Sequence, residues 1–209
     1  MHINIFCIAV FFILAIDLIQ SQSYTAVQPG GGQRVHALPF QNGFYRIILR
    51  GNQTNKQFTI IEGVVYMNEG ARLHYHMFED EMFFVTNGTL QFYVDGDQFC
   101  AKAGTTVYIP RNITQSIRNI NSKPVHVQIL FAPSGRENFL EEVSIINDNP
   151  PINATLANQL ALRYGQVNLG EVSSWKDLNC VHDSSTLLKL SFYLMFSMFL
   201  SLIFNADFF

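Results

Sequence analysis

The chain has 209 residues, of which 48% are hydrophobic and 14% charged, and its formal net charge is −3. The length fits one globular domain with a sizeable core, although the apolar residues are concentrated at the two ends. The mild charge and the lack of a basic run interleaved with aromatic residues argue against nucleic acid as a partner.

The N-terminus resembles a secretory signal. Residues 3–19 form an apolar run, and the small polar sequence Ser-Gln-Ser follows it. We therefore assign residues 1–23 to a signal peptide and residues 24–43, which open on a glycine-rich stretch, to an N-terminal arm. No Lys or Arg precedes the run, so a membrane anchor and a buried N-terminal helix are the alternatives.

Residues 44–134 alternate short β-rich segments with turn residues. The segments are FYRIILR, QFTIIEGVVYM, RLHYHM, EMFFVT, TLQFYV, DQFCA, TTVYIP, QSIRNI and VHVQILF. Regular spacing of this kind predicts an all-β sandwich or barrel. The dipeptides Asn87-Gly88 and Asp95-Gly96 favour the positive φ angles of tight turns, so a hairpin is expected at each.

The aromatic residues of these segments are expected to fill the barrel and to line a pocket. They are Phe83, Phe84, Phe92, Tyr93, Phe99 and Tyr108. Because small-molecule sites are concave, mostly apolar and carry few polar groups, a flat or hydrophobic small molecule is the expected ligand.

The segment LHYHMFEDE carries two histidines on one predicted strand. Side chains alternate along a strand, so Arg72, His74 and His76 are expected to share one face. A His-x-His pair followed at short range by a carboxylate is the minimum needed to grip a divalent metal.

Three acids follow the histidines, and one of them is the best ligand. Glu81 opens the next apolar strand and shares a face with Phe83 and Val85. Glu79 and Asp80 are assigned to the connecting turn, so we select Glu81.

Two segments after the β-rich region show helical spacing of apolar residues. The apolar positions are Phe139, Leu140, Val143, Leu156, Leu160 and Tyr164. Asn153 is the expected cap of the second helix and Gly165 its expected end. The helices form a predicted extension over residues 135–180.

The C-terminus looks like a membrane attachment signal. Residues 190–204 carry no charge but are shorter than the roughly 18 to 20 residues of a spanning helix. Small residues at 183–185 lie upstream, so residues 181–209 resemble a glycosylphosphatidylinositol (GPI) signal. A tilted transmembrane helix over 187–209 and a packed C-terminal helix are the alternatives. The expected location is the cell surface or extracellular space, with membrane attachment through this segment.

Four glycosylation sequons of the type Asn-x-Thr agree with an exported chain. They are Asn52, Asn87, Asn112 and Asn153. Each match alone is weak, because the pattern is common by chance.

The cysteines also fit an oxidising compartment. Cys7 would leave with the signal, so Cys100 and Cys180 remain as an even pair. A disulfide that joins the barrel to the C-terminal segment is one interpretation, and two free thiols are the other.

The histidine strand resembles the first motif of the cupins, small jelly-roll barrels built as a double-stranded β-helix. The spacing of that motif is reproduced by His74-x-His76, four residues, Glu81, six residues and Gly88. The resemblance identifies the chain as a member of the cupin superfamily. It implies an all-β cupin double-stranded β-helix with a short C-terminal helical extension.

A second segment resembles the second cupin motif with two departures. Gly104, Pro110 and Asn119 match, but Asn112 stands where glycine is usual and Gln115 stands where the fourth metal ligand, histidine, is expected. Because Asn adopts the left-handed backbone conformation readily, the turn is expected to survive. The ligand change is expected to weaken the affinity for metal.

The resemblance continues past the barrel and covers residues 63–166. FAPSGRENFLEEV and LANQLALRYG look like the C-terminal extension of bacterial cupins grouped with quercetin dioxygenase-like proteins. This likeness implies a divalent transition metal, which would be Fe, Mn, Ni, Cu or Zn, and a homodimer paired through the sheets. It is specific for the fold and not for one reaction.

The ligand set that the resemblance implies is His74, His76 and Glu81. Two histidines and one carboxylate hold non-haem Fe(II) while leaving positions open for O₂ and substrate. Gln115 would bind weakly as a fourth ligand or hydrogen-bond a metal-bound water or substrate. The alternative is a site that has decayed to a polar pocket. His126 is expected to be a solvated surface histidine, although an inward position would compensate for the lost ligand.

Two functions are therefore expected. The first is a metal-dependent dioxygenase for a small enolic or aromatic substrate, with Glu81 as catalytic proton acceptor. The second is a non-catalytic extracellular protein that binds a small molecule or carbohydrate through a degenerate metal site. The substitution at Gln115 and the apparent anchor favour the second, but metal binding, with the reaction left open, is the prediction.

Overall fold

The computed structural model describes residues 24–36, 44–147 and 154–180. Its strands are β1 (Gln33–Val35), β2 (Phe44–Leu49), β3 (Thr59–Val65), β4 (Gly70–His76), β5 (Asp80–Asn87), β6 (Thr89–Val94), β7 (Asp97–Lys102), β8 (Thr106–Ile109), β9 (Gln115–Arg118), β10 (Val125–Ala132) and β11 (Gln166–Gly170). Between β10 and β11 lie the helices α1 (Arg136–Asn147) and α2 (Ala154–Arg163).

The strands form two antiparallel sheets that enclose one core. The six-stranded sheet has the order β1-β2-β3-β10-β5-β8, and the five-stranded sheet has the order β11-β4-β9-β6-β7. Alternate residues of β10, namely Val125, Val127, Ile129 and Phe131, are buried between the sheets, as a half-buried strand requires. The predicted all-β jelly roll with a short helical extension is confirmed.

One of the two predicted hairpins is present. Asp95 and Gly96 have φ angles of 47° and 93° and join β6 to β7 as a tight antiparallel pair. The hairpin predicted at Asn87-Gly88 is wrong, because β5 lies in the six-stranded sheet and β6 in the other. Since β5 is already paired on both sides, by β10 and β8, it has no free edge for β6.

Two strands had no clear signal in the sequence. The three-residue β1 comes from the segment assigned to the N-terminal arm and extends the larger sheet beside β2. The polar strand β11 comes from the segment assigned to the helical extension and pairs with β4. Both are too short or too polar to show the alternation that marks a strand.

The helices bury one side each, with one correction. The buried apolar positions are Phe139, Leu140 and Val143 in α1 and Ala157, Leu160 and Ala161 in α2. The placement of Leu156 on the buried side is wrong, since it is 42% exposed and the small Ala157 packs inward instead. Gly165, at φ 75°, follows the end of α2 as predicted, while Asn153 lies outside the described residues.

The aromatic interior is smaller than predicted. Phe83 and Phe92 are buried and meet edge to face with ring centroids 5.2 Å apart. The other four aromatic residues are half-buried or exposed: Phe84, Tyr93, Phe99 and Tyr108. Tyr108 is 55% exposed because it alternates with the buried residues of β8, so it lies on the outer side of the sheet.

Residues 171–180, which we call the C-terminal strap, run against the five-stranded sheet. The Gln91 side-chain amide donates a hydrogen bond of 2.9 Å to the Lys176 carbonyl. The Arg118 guanidinium lies 4.5 Å from the ring centroid of Trp175. Cys100 of β7 and Cys180 form a disulfide with a Cα–Cα distance of 5.3 Å, so the strap is covalently joined to the barrel.

The features tied to export fall mostly at the surface or beyond the described residues. Asn52, Asn87 and Asn112 are exposed. The segments 1–23 and 181–209, predicted as signal and anchor, lie outside the described residues. Within the described ranges, no helix is long and apolar enough to cross a membrane.

Glu137 fixes the start of α1 to the loop before β3. Its carboxylate accepts hydrogen bonds from the Gly51 N–H at 2.7 Å, from the Gly135 N–H at 2.9 Å and from the Thr59 hydroxyl. Burial acts to raise the pKa of the Glu137 carboxyl, but these hydrogen bonds outweigh it and hold the pKa below its ordinary value of 4.5.

We expect Glu137→Ala to lower the free energy of unfolding by about 2 to 4 kcal/mol, because it leaves the buried Thr59 hydroxyl and Gly51 N–H without their acceptor. Since the folded pKa lies below the unfolded one, the wild-type contribution is complete above the unfolded pKa and is lost as pH falls through the folded value. Urea unfolding across that pH range would show that the free energy of unfolding falls less at acid pH in Glu137→Gln than in the wild type. The control variant Glu141→Gln removes the charge of a partly exposed partner of Arg50. It should lower the free energy of unfolding by less than about 1 kcal/mol.

Candidate metal centre

Strand β4 carries both histidines into the barrel. His74 and His76 are 7% and 3% exposed, and their rings meet edge to face with centroids 4.9 Å apart. Arg72, which was expected to share a strand face with them, has an exposed side chain that pairs with Glu171 at 3.1 Å. The register of β4 against β9 shifts between Ala71 and His74, and such an irregularity breaks the simple alternation of faces.

Glu81 of β5 meets the two histidines from the other sheet. One ligand atom from each of His74, His76 and Glu81 lies within 4.8 Å of the other two, and all three side chains are buried. The Nε2 atom of His76 is 3.2 Å from Glu81 Oε2 and 3.2 Å from His74 Nε2. The structure therefore brings together the three residues that the spacing selected.

The His74 ring is oriented by the backbone. Its Nδ1 lies 2.7 Å from the Arg72 carbonyl oxygen, which can only accept, so Nδ1 carries the proton. The Nε2 lone pair of His74 is consequently directed at the cluster. A backbone carbonyl on the far nitrogen is a common way to fix a metal-binding imidazole.

The histidines are held in the form that binds metal. Burial, with the nearby His76 ring, lowers the pKa of His74 to about 4, and burial lowers the pKa of His76 as well. Both rings are thus neutral near pH 7, and neutral imidazole is the ligand form. Burial raises the pKa of the Glu81 carboxyl.

Gln115 of β9 lies beside the cluster but points its amide nitrogen at it. The Nε2 group donates a hydrogen bond to Glu81 Oε2, and the side chain is 1% exposed. Its Oε1 is buried without a hydrogen-bond partner. Such an orphaned oxygen commonly marks an unseen water or ion.

His126 does not replace the missing ligand. It lies on β10 between the buried Val125 and Val127, with its half-buried side chain on the outer side of the sheet. The inward alternative for His126 is therefore not adopted.

The assignment of Glu79 and Asp80 to a plain turn needs correction. Glu79 is 5% exposed, and its Oε2 lies 3.7 Å from Nδ1 of His76. Asp80 is the first residue of β5 and binds the Arg111 guanidinium at 2.9 Å. Glu79, Asp80 and Glu81 therefore lie in three different environments. The alternation of side chains along a strand does not by itself distinguish them.

Two further residues border the cluster and were missed. Arg136, at the start of α1, is 6% exposed, lies 4.1 Å from the Phe139 ring centroid and donates a hydrogen bond to Gln166. Tyr45 of β2 is half-buried, and desolvation of its hydroxyl and the nearby Glu81 raise its pKa. Neither lies in a motif, and each reaches the site only through tertiary packing.

The donor set fits a divalent transition metal. Two neutral imidazole nitrogens and one carboxylate oxygen suit Fe, Mn, Ni, Cu or Zn rather than Mg or Ca. The close approach of acceptor atoms, 3.2 Å between the two Nε2 atoms, is an arrangement that a cation between them would stabilise. The residues present therefore fit a metal ion.

Comparisons with known proteins agree with the fold. The family described as "Cupin domain" matches residues 61–132. A protein of Methanocaldococcus jannaschii described as uncharacterized is 28% identical over 69 residues, which cover 33% of this chain and 55% of that protein. The chain thus matches just over half the length of this curated relative.

Solved structures of similar architecture have low sequence identity. KdgF from Halomonas sp. aligns with a TM-score of 0.49 and 11% identity, over 56% of this chain and 99% of that one. A predicted oxalate decarboxylase from Thermotoga maritima gives 0.48 and 17%, over 52% and 99%. The polyketide cyclase RemF from Streptomyces resistomycificus gives 0.47 and 16%, over 54% and 81%. At these identities the likeness says nothing about the reaction.

The two-sheet barrel, the match over residues 61–132 and the buried His74, His76 and Glu81 cluster agree with one another. The chain therefore contains a cupin domain over residues 61–132.

Proposed function

We propose that this protein binds one divalent transition metal through His74, His76 and Glu81 and uses it to act on a small molecule. The observation that carries the proposal is the convergence of three buried ligand atoms within 4.8 Å. Two imidazoles and one carboxylate leave coordination positions open for substrate and O₂.

The reaction that this ligand set supports best is oxidation of a small enolic or catecholic compound, as in the quercetin dioxygenase-like group. When bound, the metal supplies Lewis-acid polarisation of a substrate oxygen and, if redox-active, access to O₂. Because burial raises the pKa of Glu81, that carboxylate is a stronger proton acceptor for an acidic substrate hydroxyl. Glu81 is therefore both a ligand and the proposed catalytic base.

The surroundings of the cluster suit an aromatic or enolic compound. The Phe131 ring packs edge to face on His76 with centroids 5.6 Å apart and gives the cluster one aromatic wall. Burial and the nearby Glu81 raise the pKa of Tyr45, so its phenol is protonated at neutral pH.

The second candidate is a non-catalytic binding protein with a weakened metal site. It is favoured by the hydrogen bond from Gln115 Nε2 to Glu81 Oε2, the same oxygen that lies nearest His76. This hydrogen bond occupies one lone pair of the Glu81 oxygen, and the amide oxygen of Gln115 is a weaker donor to metal than an imidazole nitrogen.

Elemental mass spectrometry on Gln115→His and wild-type protein separates the two candidates. We expect metal in the wild type and at least about tenfold tighter binding in the variant, because an imidazole replaces a poor ligand. Gln128→His, which adds a histidine at an exposed position of β10, should leave the metal content unchanged. Metal absent from the wild type and restored only in Gln115→His would identify a decayed site.

Catalysis is tested with the metal-loaded wild type. We expect O₂ consumption with a flavonol or a related dihydroxy aromatic compound, and none after chelation. Loaded protein that turns over none of these compounds contradicts the oxidoreductase proposal and supports the binding protein.

We further propose that the protein is exported, glycosylated and held at a membrane through residues 181–209. The exposure of Asn52, Asn87 and Asn112 supports glycosylation, and the Cys100–Cys180 disulfide is usual in an oxidising compartment. Intact and peptide mass spectrometry of protein from a eukaryotic host would report glycans, both termini and any lipid. A retained N-terminal segment with unmodified sequons would contradict this location.

A further inference from the structure

Several buried polar atoms at the metal centre have no hydrogen-bond partner. Among the described residues, six buried side-chain atoms are unpaired, and four of them belong to residues around the cluster. These four are His76 Nδ1, Glu79 Oε2, Gln115 Oε1 and Arg136 Nη1. Because leaving such groups unpaired is costly, each of them is expected to gain a partner from nearby.

Two of these atoms face each other. The Nδ1 atom of His76 and Oε2 of Glu79 are 3.7 Å apart, and both side chains are buried. A movement of less than about 1 Å would bring them to hydrogen-bond distance. Since His76 Nε2 faces Glu81 and His74, Nδ1 is the nitrogen left for a partner outside the cluster.

The turn that carries Glu79 is fixed by the helical extension. The Met77 N–H donates a hydrogen bond of 2.7 Å to the Gly165 carbonyl. Gly165 also lies against the Phe78 ring so closely that a Cβ there would be 2.4 Å from it. A residue larger than glycine would displace the turn, so the close approach holds Glu79 against His76.

The buried Arg136 guanidinium acts electrostatically on the Glu79 carboxylate. Arg136 is the neighbouring charge that acts most strongly on Glu79, and Glu79 is the one that acts most strongly on Arg136. The Arg136 guanidinium lies over the Phe139 ring and donates a hydrogen bond to Gln166. Gln166 of β11 is in turn the strand partner of His76 in β4. Arg136 thus compensates a carboxylate that would be expensive to bury alone.

We propose that Glu79 is a positioning residue that accepts the Nδ1 proton of His76 and so presents the His76 Nε2 lone pair to the metal. The inference rests on the proposed metal function. In the neutral ring, Glu79 at Nδ1 and Glu81 at Nε2 compete for a single proton. Only the tautomer with the proton on Nδ1 can bind a metal through Nε2, and carboxylate–histidine pairs of this kind set the tautomer in metal sites.

The first test needs no metal. Long-range ¹H–¹⁵N spectra of the metal-free protein report which nitrogen of His76 is protonated. We expect the Nδ1-protonated fraction to fall in Glu79→Ala and to be intermediate in Glu79→Gln, which keeps one acceptor oxygen. Asp80→Asn, a change of the adjacent carboxylate that binds Arg111, should leave the His76 spectrum unchanged.

The second test uses Zn²⁺ alone, competed against a chromophoric chelator. We expect Glu79→Ala to weaken zinc binding about 10- to 100-fold and Asp80→Asn to retain wild-type affinity. An unchanged tautomer in Glu79→Ala overturns the inference, and so does wild-type zinc affinity in that variant. If the wild type binds no zinc, the proposed metal function fails while the tautomer spectra still decide the role of Glu79. If Glu79→Ala does not fold, Glu79→Gln serves for both measurements.

Discussion

Replacing Glu81 by glutamine is expected to reduce the affinity for a divalent metal by more than about 100-fold, because it removes the only carboxylate of the ligand set. The loss should exceed the 10- to 100-fold effect of outer residues, since a ligand itself is changed. His74→Ala should have a comparable effect, as its Nε2 is directed at the cluster by the hydrogen bond to the Arg72 carbonyl. Calorimetric titration of metal-free protein with Mn²⁺, Co²⁺ and Zn²⁺ would measure both.

The stability of the metal-free variants separates loss of a ligand from loss of the fold. Burial raises the pKa of Glu81, which means that its charged form is disfavoured in the folded protein. Glu81→Gln should therefore unfold at the same temperature as the wild type or higher. His126→Ala, on the outer side of β10, is the control for a general effect of removing histidine. Wild-type affinity in Glu81→Gln would show that the metal binds elsewhere or without this carboxylate.

Removing the disulfide is expected to lower the free energy of unfolding by about 2 to 4 kcal/mol. The bond closes a loop between residues 80 apart in sequence, and a loop of that size strongly restricts the unfolded chain. Denaturant unfolding of the double variant Cys100→Ser/Cys180→Ser would measure the loss. Wild-type protein treated with reductant should give the same midpoint as the double variant.

The C-terminal strap provides a local signal for the same experiment. Trp175 is the single tryptophan of the chain and packs on Tyr93 and Arg118 of the five-stranded sheet. If the strap is held by the disulfide more than by its own contacts, Trp175 fluorescence will change before the barrel unfolds in the double variant. One coincident transition at the wild-type midpoint would show that the bond adds little.

The sequence was most informative about the individual strands and the ligands. The nine predicted β-rich segments all contain a strand, because their alternation and turn residues are local properties. The spacing of His74, His76 and Glu81 was informative because it matches a family motif, although the three residues meet across the core, with β4 in one sheet and β5 in the other. The Asn112 backbone, at φ 66°, has the left-handed conformation expected where glycine is usual.

What the sequence could not indicate depends on contacts between distant segments. Glu79 lies in a turn whose Met77 N–H bonds to the Gly165 carbonyl and whose Phe78 ring lies against Gly165, far along the chain. Arg136 and Tyr45 reach the centre from α1 and β2, which belong to no motif. The false hairpin at Asn87-Gly88 has the same origin, because pairing of β5 with β8 and β10 decides where β6 can go.

The disulfide also determines how the molecule carries mechanical load. A pull on the chain beyond Cys180 is transmitted through the sulfur atoms to Cys100 in β7, and it bypasses the strap, β11 and both helices. In the five-stranded sheet β7 is the edge strand, and β6 and β9 separate it from β4. Tension from that end therefore reaches the barrel at the side of the sheet farthest from β11, with two strands between that edge and β4, which carries both histidines.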